Sequence, residues 1–554
     1  MRSPVPAALA AALVLVLAGC VGIPTSGGVN DGDIIDDQAV PEFVVLPSDP
    51  VPGSTQEQIL SDFMQAVSSP QGGYAVAKKY LTSTLAATWN PDASAIIRTG
   101  PFSTEFTDPD SMTFSFTSRA SVNELGQYQE ERDLSNQTLT FSFQQEDGEW
   151  RISAAADGIV LSQSAFNIAF REQALYFFDP SYGYLVPDVR WFPARQTSSL
   201  RVVQALLAGP SSWLQQAVTT AFPEATKLGE ITVQTGSTVV DLSTEALAST
   251  PQDRDRMRQQ LVATLDTPNV ALTVRGLELP TPDATGDRAS VNPRVDPAVL
   301  VGLQGNEFGF AGVDGIAPIN GITPQVVAGG AVAADLAADK QTVAFLDGSG
   351  AVFVALAGDS EPTLIAPGPG WTAPSVDPFR FVWSAQGDNA STLTSWEVDA
   401  TAHPISSGLA ADSSIVSLDV SRDGSRILLL LATPVGPRLA VAGIVRQDHV
   451  PVALGELVEL PIGAQSPLDA TWVDDRTVAA VSVDEEGTAG VTAFEIGGPS
   501  LSLGTVLGAR SIVGGNGGTD GLRVLAADGS VWRPRGSEGW VATGVSASFL
   551  ATKQ

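Results

Sequence analysis

Cys20 is the one thiol in this 554-residue chain, and it follows Leu17, Ala18 and Gly19 at the end of an apolar N-terminal run. A thiol can act as nucleophile, metal ligand or acyl acceptor, and at this place it argues for a lipid anchor. Other reactive groups are sparse. The histidines are His403 and His449 alone, 46 residues apart, which reads as surface or turn positions rather than a metal pair. GxSxG, HExxH, P-loop and CxxC patterns are all missing. Asp31 with Asp33, and Asp484, Glu485 and Glu486 before Gly487, lack the ligand spacing of an EF-hand loop and read as tether and hairpin residues. The 61 acidic residues offer many carboxylate pairs, whose separation the sequence does not report, so a glycosidase-type pair stays open as the weakest reading. No catalytic residue, metal ligand or cofactor is assigned, and the chain is expected not to be an enzyme.

The elements around Cys20 set its chemistry. Arg2 supplies one positive charge, and Val5 to Ala18 carry none, as in a secretory signal that is too short to span a bilayer. Leu17-Ala18-Gly19-Cys20 resembles the bacterial lipobox. That resemblance implies cleavage after Gly19 and a Cys20 bearing N-palmitoyl and S-diacylglycerol groups. Each buried CH₂ is worth about 0.8 kcal/mol, so two or three chains hold a protein firmly at a membrane. Residues 1–19 are thus read as a signal peptide and 20–53, rich in Gly, Pro and Asp, as a flexible tether. The rest is expected on the extracytoplasmic face of the cell membrane.

A formal net charge of -31 repels phosphates, which argues against nucleic acid as a partner. The composition is 44% hydrophobic, enough for several cores, and the length suggests three or four domains. No second apolar run reaches transmembrane length.

Over residues 54–163, Ser54 and Glu57 have capping-box spacing, and Ile59, Leu60, Phe63, Met64 and Val67 form one helical face. Met112, Phe114 and Phe116, then Leu139, Phe141 and Phe143, alternate with polar residues as half-buried strands. This order of helices and curved sheet is similar to the NTF2-like fold. Residues 164–279 form a second α+β unit, whose Leu206 to Pro210 helix end and Val240-Asp241-Leu242-Ser243 resemble a GerMN module. It contains an aromatic-rich stretch from Tyr176 to Phe192, read as packing between the two α+β domains in preference to a carbohydrate or peptide surface. Residues 280–299 read as a linker.

From residue 300 to 554 helical periodicity fades, and strand cores recur at Val343, Phe381, Ile427, Val478 and Val524, 38, 46, 51 and 46 residues apart. A four-stranded propeller blade takes roughly 40 to 50 residues. Phe308 to Phe310 and Ser546 to Leu550 could complete another blade, and Gly514 to Gly518 reads as a blade-connecting loop. The expected fold is therefore multidomain: NTF2-like and GerMN-like α+β domains followed by an all-β propeller of five or six blades. Ring closure removes sheet edges and predicts a monomer.

The combination, with LYFFDPSYGYLVPDVRWFP at Leu175 to Pro193, ATWNP at Ala87 to Pro91 and EWRIS at Glu149 to Ser153, resembles the actinobacterial LpqB lipoproteins. The resemblance implies an accessory protein of the MtrA/MtrB two-component system that binds the extracytoplasmic region of the sensor kinase MtrB and influences envelope homeostasis and cell division. A receptor for an envelope glycan or small metabolite, using the propeller channel or the NTF2-like cavity, is the alternative.

Overall fold

The computed structural model describes residues 47–552, apart from 196–197, 235–236, 282–287, 294–299, 304–306, 313–314, 464–465, 485, 515–516 and 537–538. Leu17, Ala18, Gly19 and Cys20, with the rest of the expected signal peptide and most of the tether, lie outside the described residues.

Order begins with helix α1 (Gln56–Ala66), capped one residue later than Ser54 predicts. The capping box is Thr55 with Gln58: the Thr55 hydroxyl accepts from the Gln58 amide at 3.3 Å and the Gln58 carboxamide accepts from the Thr55 amide at 2.9 Å. Ser54 instead donates its hydroxyl to the Val51 carbonyl. The α1 face of Ile59, Leu60 and Phe63 packs on a five-stranded sheet, with Phe63 5.5 Å from Trp89 and 6.2 Å from Phe141. Strands β1 (Ser94–Asp108), β2 (Ser111–Asn123), β3 (Tyr128–Glu146) and β4 (Glu149–Ala154) are sequential antiparallel neighbours. Strand β5 (Ile159–Ser162) runs parallel to the start of β1, giving the order β4-β3-β2-β1-β5. Met112, Phe114 and Phe116 are buried, as their alternation predicts.

A short helix, Gln163–Ala169, leads into the hairpin β6 (Phe170–Phe178) and β7 (Tyr184–Pro193). The aromatic-rich stretch is this hairpin. Leu175, Phe177 and Phe178 are buried, and Trp191 lies 4.9 Å from Phe166 and 5.9 Å from Tyr128. Its packing reaches beyond the two α+β units, because the Trp191 indole also donates to the Gly497 carbonyl of the propeller at 2.8 Å. Ser290–Val291, in the segment read as a linker, pairs in parallel with β7. A four-stranded sheet, β11-β10-β9-β8, is built from β8 (Leu228–Gln234), β9 (Ser237–Leu242), β10 (Val270–Val274) and β11 (Leu277–Glu278). Helix Pro251–Leu265 buries Met257 and Leu261 in the core that this sheet contributes to.

Six sheets follow among the described residues, each with four strands in its main path. The five strand cores read from sequence are the second strands of blades two to six. Blade one joins Leu300–Leu303, Glu307–Gly312 and Gly315–Ala317 to Phe549–Ala551 from the far end of the chain. The innermost strands Phe549–Ala551, Ala331–Leu336, Ser375–Val376, Ser414–Val420, Ser466–Trp472 and Ala509–Val513 touch one another in cyclic order, so the ring is closed.

Candidate functional site

The inner strands use short polar side chains to clasp the backbone of the next blade. Asp335 accepts from the Val376 amide at 2.8 Å, Ser375 from the Val420 amide at 3.1 Å, and Asp419 from the Trp472 amide at 3.1 Å and the Thr471 hydroxyl at 2.9 Å. Asp469 accepts from the Ile512 amide at 2.9 Å. Thr471 accepts from the Gly514 amide, whose carbonyl takes a 2.7 Å bond from the buried Arg422 guanidinium. A Cβ on Gly514 would stand 1.9 Å from the Trp472 carbonyl oxygen, so only glycine fits there. Gly514 joins the first and second strands of one blade, which corrects the expectation of a blade-connecting loop. The tight blade-to-blade contact, not a phosphate, explains the glycine.

Burial pushes the Asp335 carboxyl up to about 8, with the nearby Asp419 charge adding to it, against the backbone bonds and Arg422. Burial likewise raises Asp469 to about 7. Neutral carboxyls sit in the axis more cheaply than charged ones.

The two ends of the axis differ. At the end where inner strands turn into second strands, the hairpin and its module are docked. Arg476 donates to Glu172 at 2.5 Å, and the Tyr184 and Phe379 rings meet edge-on at 6.5 Å. Here burial, followed by the neighbouring Glu172, raises Glu495 to about 8. At the opposite end, where inner strands begin, a cavity of about 620 Å³ opens beside Asp469, Arg510, Ser511 and Ser548, floored by Phe308 and Phe549. The interior of the NTF2-like domain offers much less. The cavity beneath α1, between Phe63, Leu139 and Phe141, measures about 40 Å³, room for a few waters at most.

The remaining polar residues singled out in the sequence are separate from this axis. His403 sits in blade three with Nε2 2.9 Å from a Glu397 oxygen, and His449 sits in a hairpin turn of blade four at φ 70°. Asp484 accepts from the Glu486 and Thr488 amides as a turn residue, and Glu485 lies outside the described residues. Among the described residues, no three His, Cys, Asp or Glu side chains are grouped to hold a metal, and no helix is long and apolar enough to cross a membrane.

The model of the lipoprotein LpqB N-terminal domain matches residues 49–167, and that of the LpqB beta-propeller domain matches 311–547. Together they span well over half of the chain. The chain belongs to the LpqB lipoprotein family. Between the two LpqB matches, a model described as sporulation and spore germination matches 174–279. Lipoprotein LpqB of Thermobifida fusca is 24% identical over 90% of this chain and 91% of its own length. Lipoprotein LpqB of Cutibacterium acnes is 30% identical over 51% of this chain and 48% of its own, so that alignment spans about half of the relative. The tandem GerMN domains of the sporulation protein GerM from Bacillus subtilis align with 26% of this chain and 58% of theirs, at 19% identity and a TM-score of 0.18.

The axis makes this LpqB protein pH-sensitive in a definite direction. An unfolded aspartate titrates near ~4, so raised native values mean that the folded state binds more protons between there and about 8. The stabilisation is complete below the unfolded value and is lost as pH rises through about 7 and 8. Urea unfolding midpoints are expected to fall from pH 5 to pH 9. Asp335→Asn, which keeps a neutral acceptor for the Val376 amide, should flatten that slope and exceed wild type at pH 9. An unchanged slope in the variant would remove Asp335 from the explanation.

Proposed function

We propose that this chain is a lipid-anchored extracytoplasmic lipoprotein that binds and modulates the sensor kinase MtrB of a two-component system, and thereby affects envelope homeostasis and cell division. Cys20 is the anchor, with N-palmitoyl and S-diacylglycerol groups after cleavage following Gly19. The chain works by binding, as a monomer, without turnover and without a cofactor. One observation carries this reading: the GerMN-like and propeller modules of an LpqB family member share one continuous buried core, and Trp191, packed on the separate core of the NTF2-like domain and bonded to Gly497 of the propeller, ties the third module to them, so a partner meets a connected scaffold. In-cell crosslinking of the full lipoprotein, read by mass spectrometry of the captured membrane proteins, tests it. MtrB is expected among them, and its recovery should fall in Cys20→Ala. Recovery of wall enzymes alone would overturn the kinase assignment.

A second reading is an envelope glycan or metabolite receptor, supported by the cavity of about 620 Å³ at the free propeller mouth. The filled interior beneath α1 speaks against the NTF2-like domain in that role. A ligand at 100 times its Kd stabilises by about 2.7 kcal/mol, so muropeptides should raise the unfolding temperature if this reading holds.

A further inference from the structure

Strand β1 is 15 residues long, but β5 pairs only with Ala95 to Arg98. Beyond Arg98 the side of β1 that faces away from β2 has no neighbouring strand among the described residues. Two register shifts, between Thr99 and Phe102 and between Phe106 and Asp108, bracket an unbroken window of five residues: Phe102, Ser103, Thr104, Glu105 and Phe106. These pair in order with Phe116, Ser115, Phe114, Thr113 and Met112 of β2.

The two strands of this ribbon differ in exposure. Met112, Phe114 and Phe116 are buried, whereas Phe102 and Phe106, on the same face, are 48% and 45% exposed. Phe102 leans on Phe114 at 5.0 Å and carries the Arg98 guanidinium at 4.9 Å, so its ring is held in place. Natural proteins blunt open edges with prolines, charges and bulges. Here Pro101 and the two register shifts guard the ends of the window, and its middle holds one charge, Glu105. The result is a pre-formed edge of strand length with two apolar anchors two residues either side of Thr104.

Such an edge recognises backbone first and side chains second, by strand addition. The occupant must be extended. It must bring apolar side chains to Phe102 and Phe106 at alternate positions. Glu105, with Asp108 and Asp110 beyond it and a chain of net charge -31 behind it, favours a lysine or arginine on the incoming strand. The same charge disfavours a second copy of this chain.

We propose that the Phe102–Phe106 edge of β1 is a docking site for an extended strand of a partner protein, apolar at alternate positions and basic between them. This rests on the reading of the chain as a kinase-binding lipoprotein, and names the face that makes the contact.

The test uses the full chain and the purified extracytoplasmic region of the sensor kinase, with affinity measured by interferometry and amide exchange followed in the complex. Phe102→Glu with Phe106→Glu, and separately Glu105→Lys, are expected to weaken binding at least tenfold. Val435→Glu, at a propeller loop position 84% exposed, controls for added charge and should bind as wild type. Circular dichroism should show all variants folded. In the wild-type complex the amides of the window should exchange more slowly, which a general charge effect would not produce. Wild-type binding that survives the edge substitutions, with unprotected window amides, would overturn the edge and leave kinase binding intact. No wild-type binding at all would overturn both. Concentration-dependent dimers lost in the Phe102 and Phe106 double variant would identify a second copy as the occupant, against the proposal.

Discussion

Asp188→Ala is expected to destabilise the protein by about 3–5 kcal/mol, the cost of leaving a buried charge without its partner. Asp188 and Arg190 alternate on β7 and are both almost fully buried, with the guanidinium 2.8 Å and 3.2 Å from the two carboxylate oxygens. The carboxylate also accepts from the Ser211 amide and hydroxyl, both at 2.7 Å. Arg190 in turn donates to the Leu125 carbonyl, in the turn between β2 and β3, at 2.8 Å. The pair therefore ties the hairpin to both α+β units. Removing the carboxylate strands the guanidinium, while Arg190→Met leaves a carboxylate that still has two donors, so the second change should cost less. Because well-packed apolar residues can replace a buried pair, Asp188→Leu with Arg190→Met should recover part of the loss. Urea unfolding followed by tryptophan fluorescence reads all four proteins. A loss below about 1 kcal/mol in Asp188→Ala would mean that water reaches the pair and screens it.

Trp472→Ala should be comparably severe and should loosen two modules at once. Trp472 ends the inner strand of blade five, is fully buried, and donates its indole N–H to the Asp419 carbonyl at 3.0 Å. The Arg426 guanidinium lies 4.7 Å from the ring centre. The apolar cluster around it runs without a break from Leu242, Met257 and Leu272 of the GerMN-like unit to Leu428, Val441 and Val478 of the propeller. Truncating a large core aromatic costs about 3–5 kcal/mol through lost contacts and the cavity left behind. Trp472→Phe keeps most of the volume and should lose about 1 kcal/mol with the indole bond. Limited proteolysis should show Trp472→Ala cleaved faster in both units. Faster cleavage confined to the propeller would mean that the shared cluster does not couple them.

Some of this was legible in the sequence because burial and alternation coincide. Met112, Phe114 and Phe116 line one face of a strand, and Ile427 to Leu431 form a fully buried second strand, so their composition announces their place. The inner strands were legible only in part: Ser546 to Leu550 pointed to the closing strand Phe549–Ala551 of blade one, whereas those of the middle blades did not stand out. Ser375–Val376 is two residues long, and Asp335, Asp419 and Thr471 spend their side chains on a neighbour's backbone, which makes core strands read as polar loops. The helix start shows a different limit: Ser54 with Glu57 and Thr55 with Gln58 both fit the capping pattern, and local chemistry alone does not choose between them. Asp188 and Arg190 were hidden by their aromatic neighbours. Opposite charges two residues apart within an otherwise apolar strand were the available signal. The proposed edge was invisible because Phe102 and Phe106 differ from the buried phenylalanines of β2 in having no strand on their outer side among the described residues.

The closure of blade one has a consequence for how the molecule comes into being. Phe549–Ala551 is the inner strand that Leu300–Gly302 pairs with, and some 250 residues of chain separate the two halves. A chain made from its N-terminus can shape the α+β units and most blades as they emerge, yet the ring waits for Phe549–Ala551. Any premature stop before Phe549, however late, leaves a horseshoe with two raw edges in place of a circle, which makes this one short strand the point at which finished molecules differ from unfinished ones.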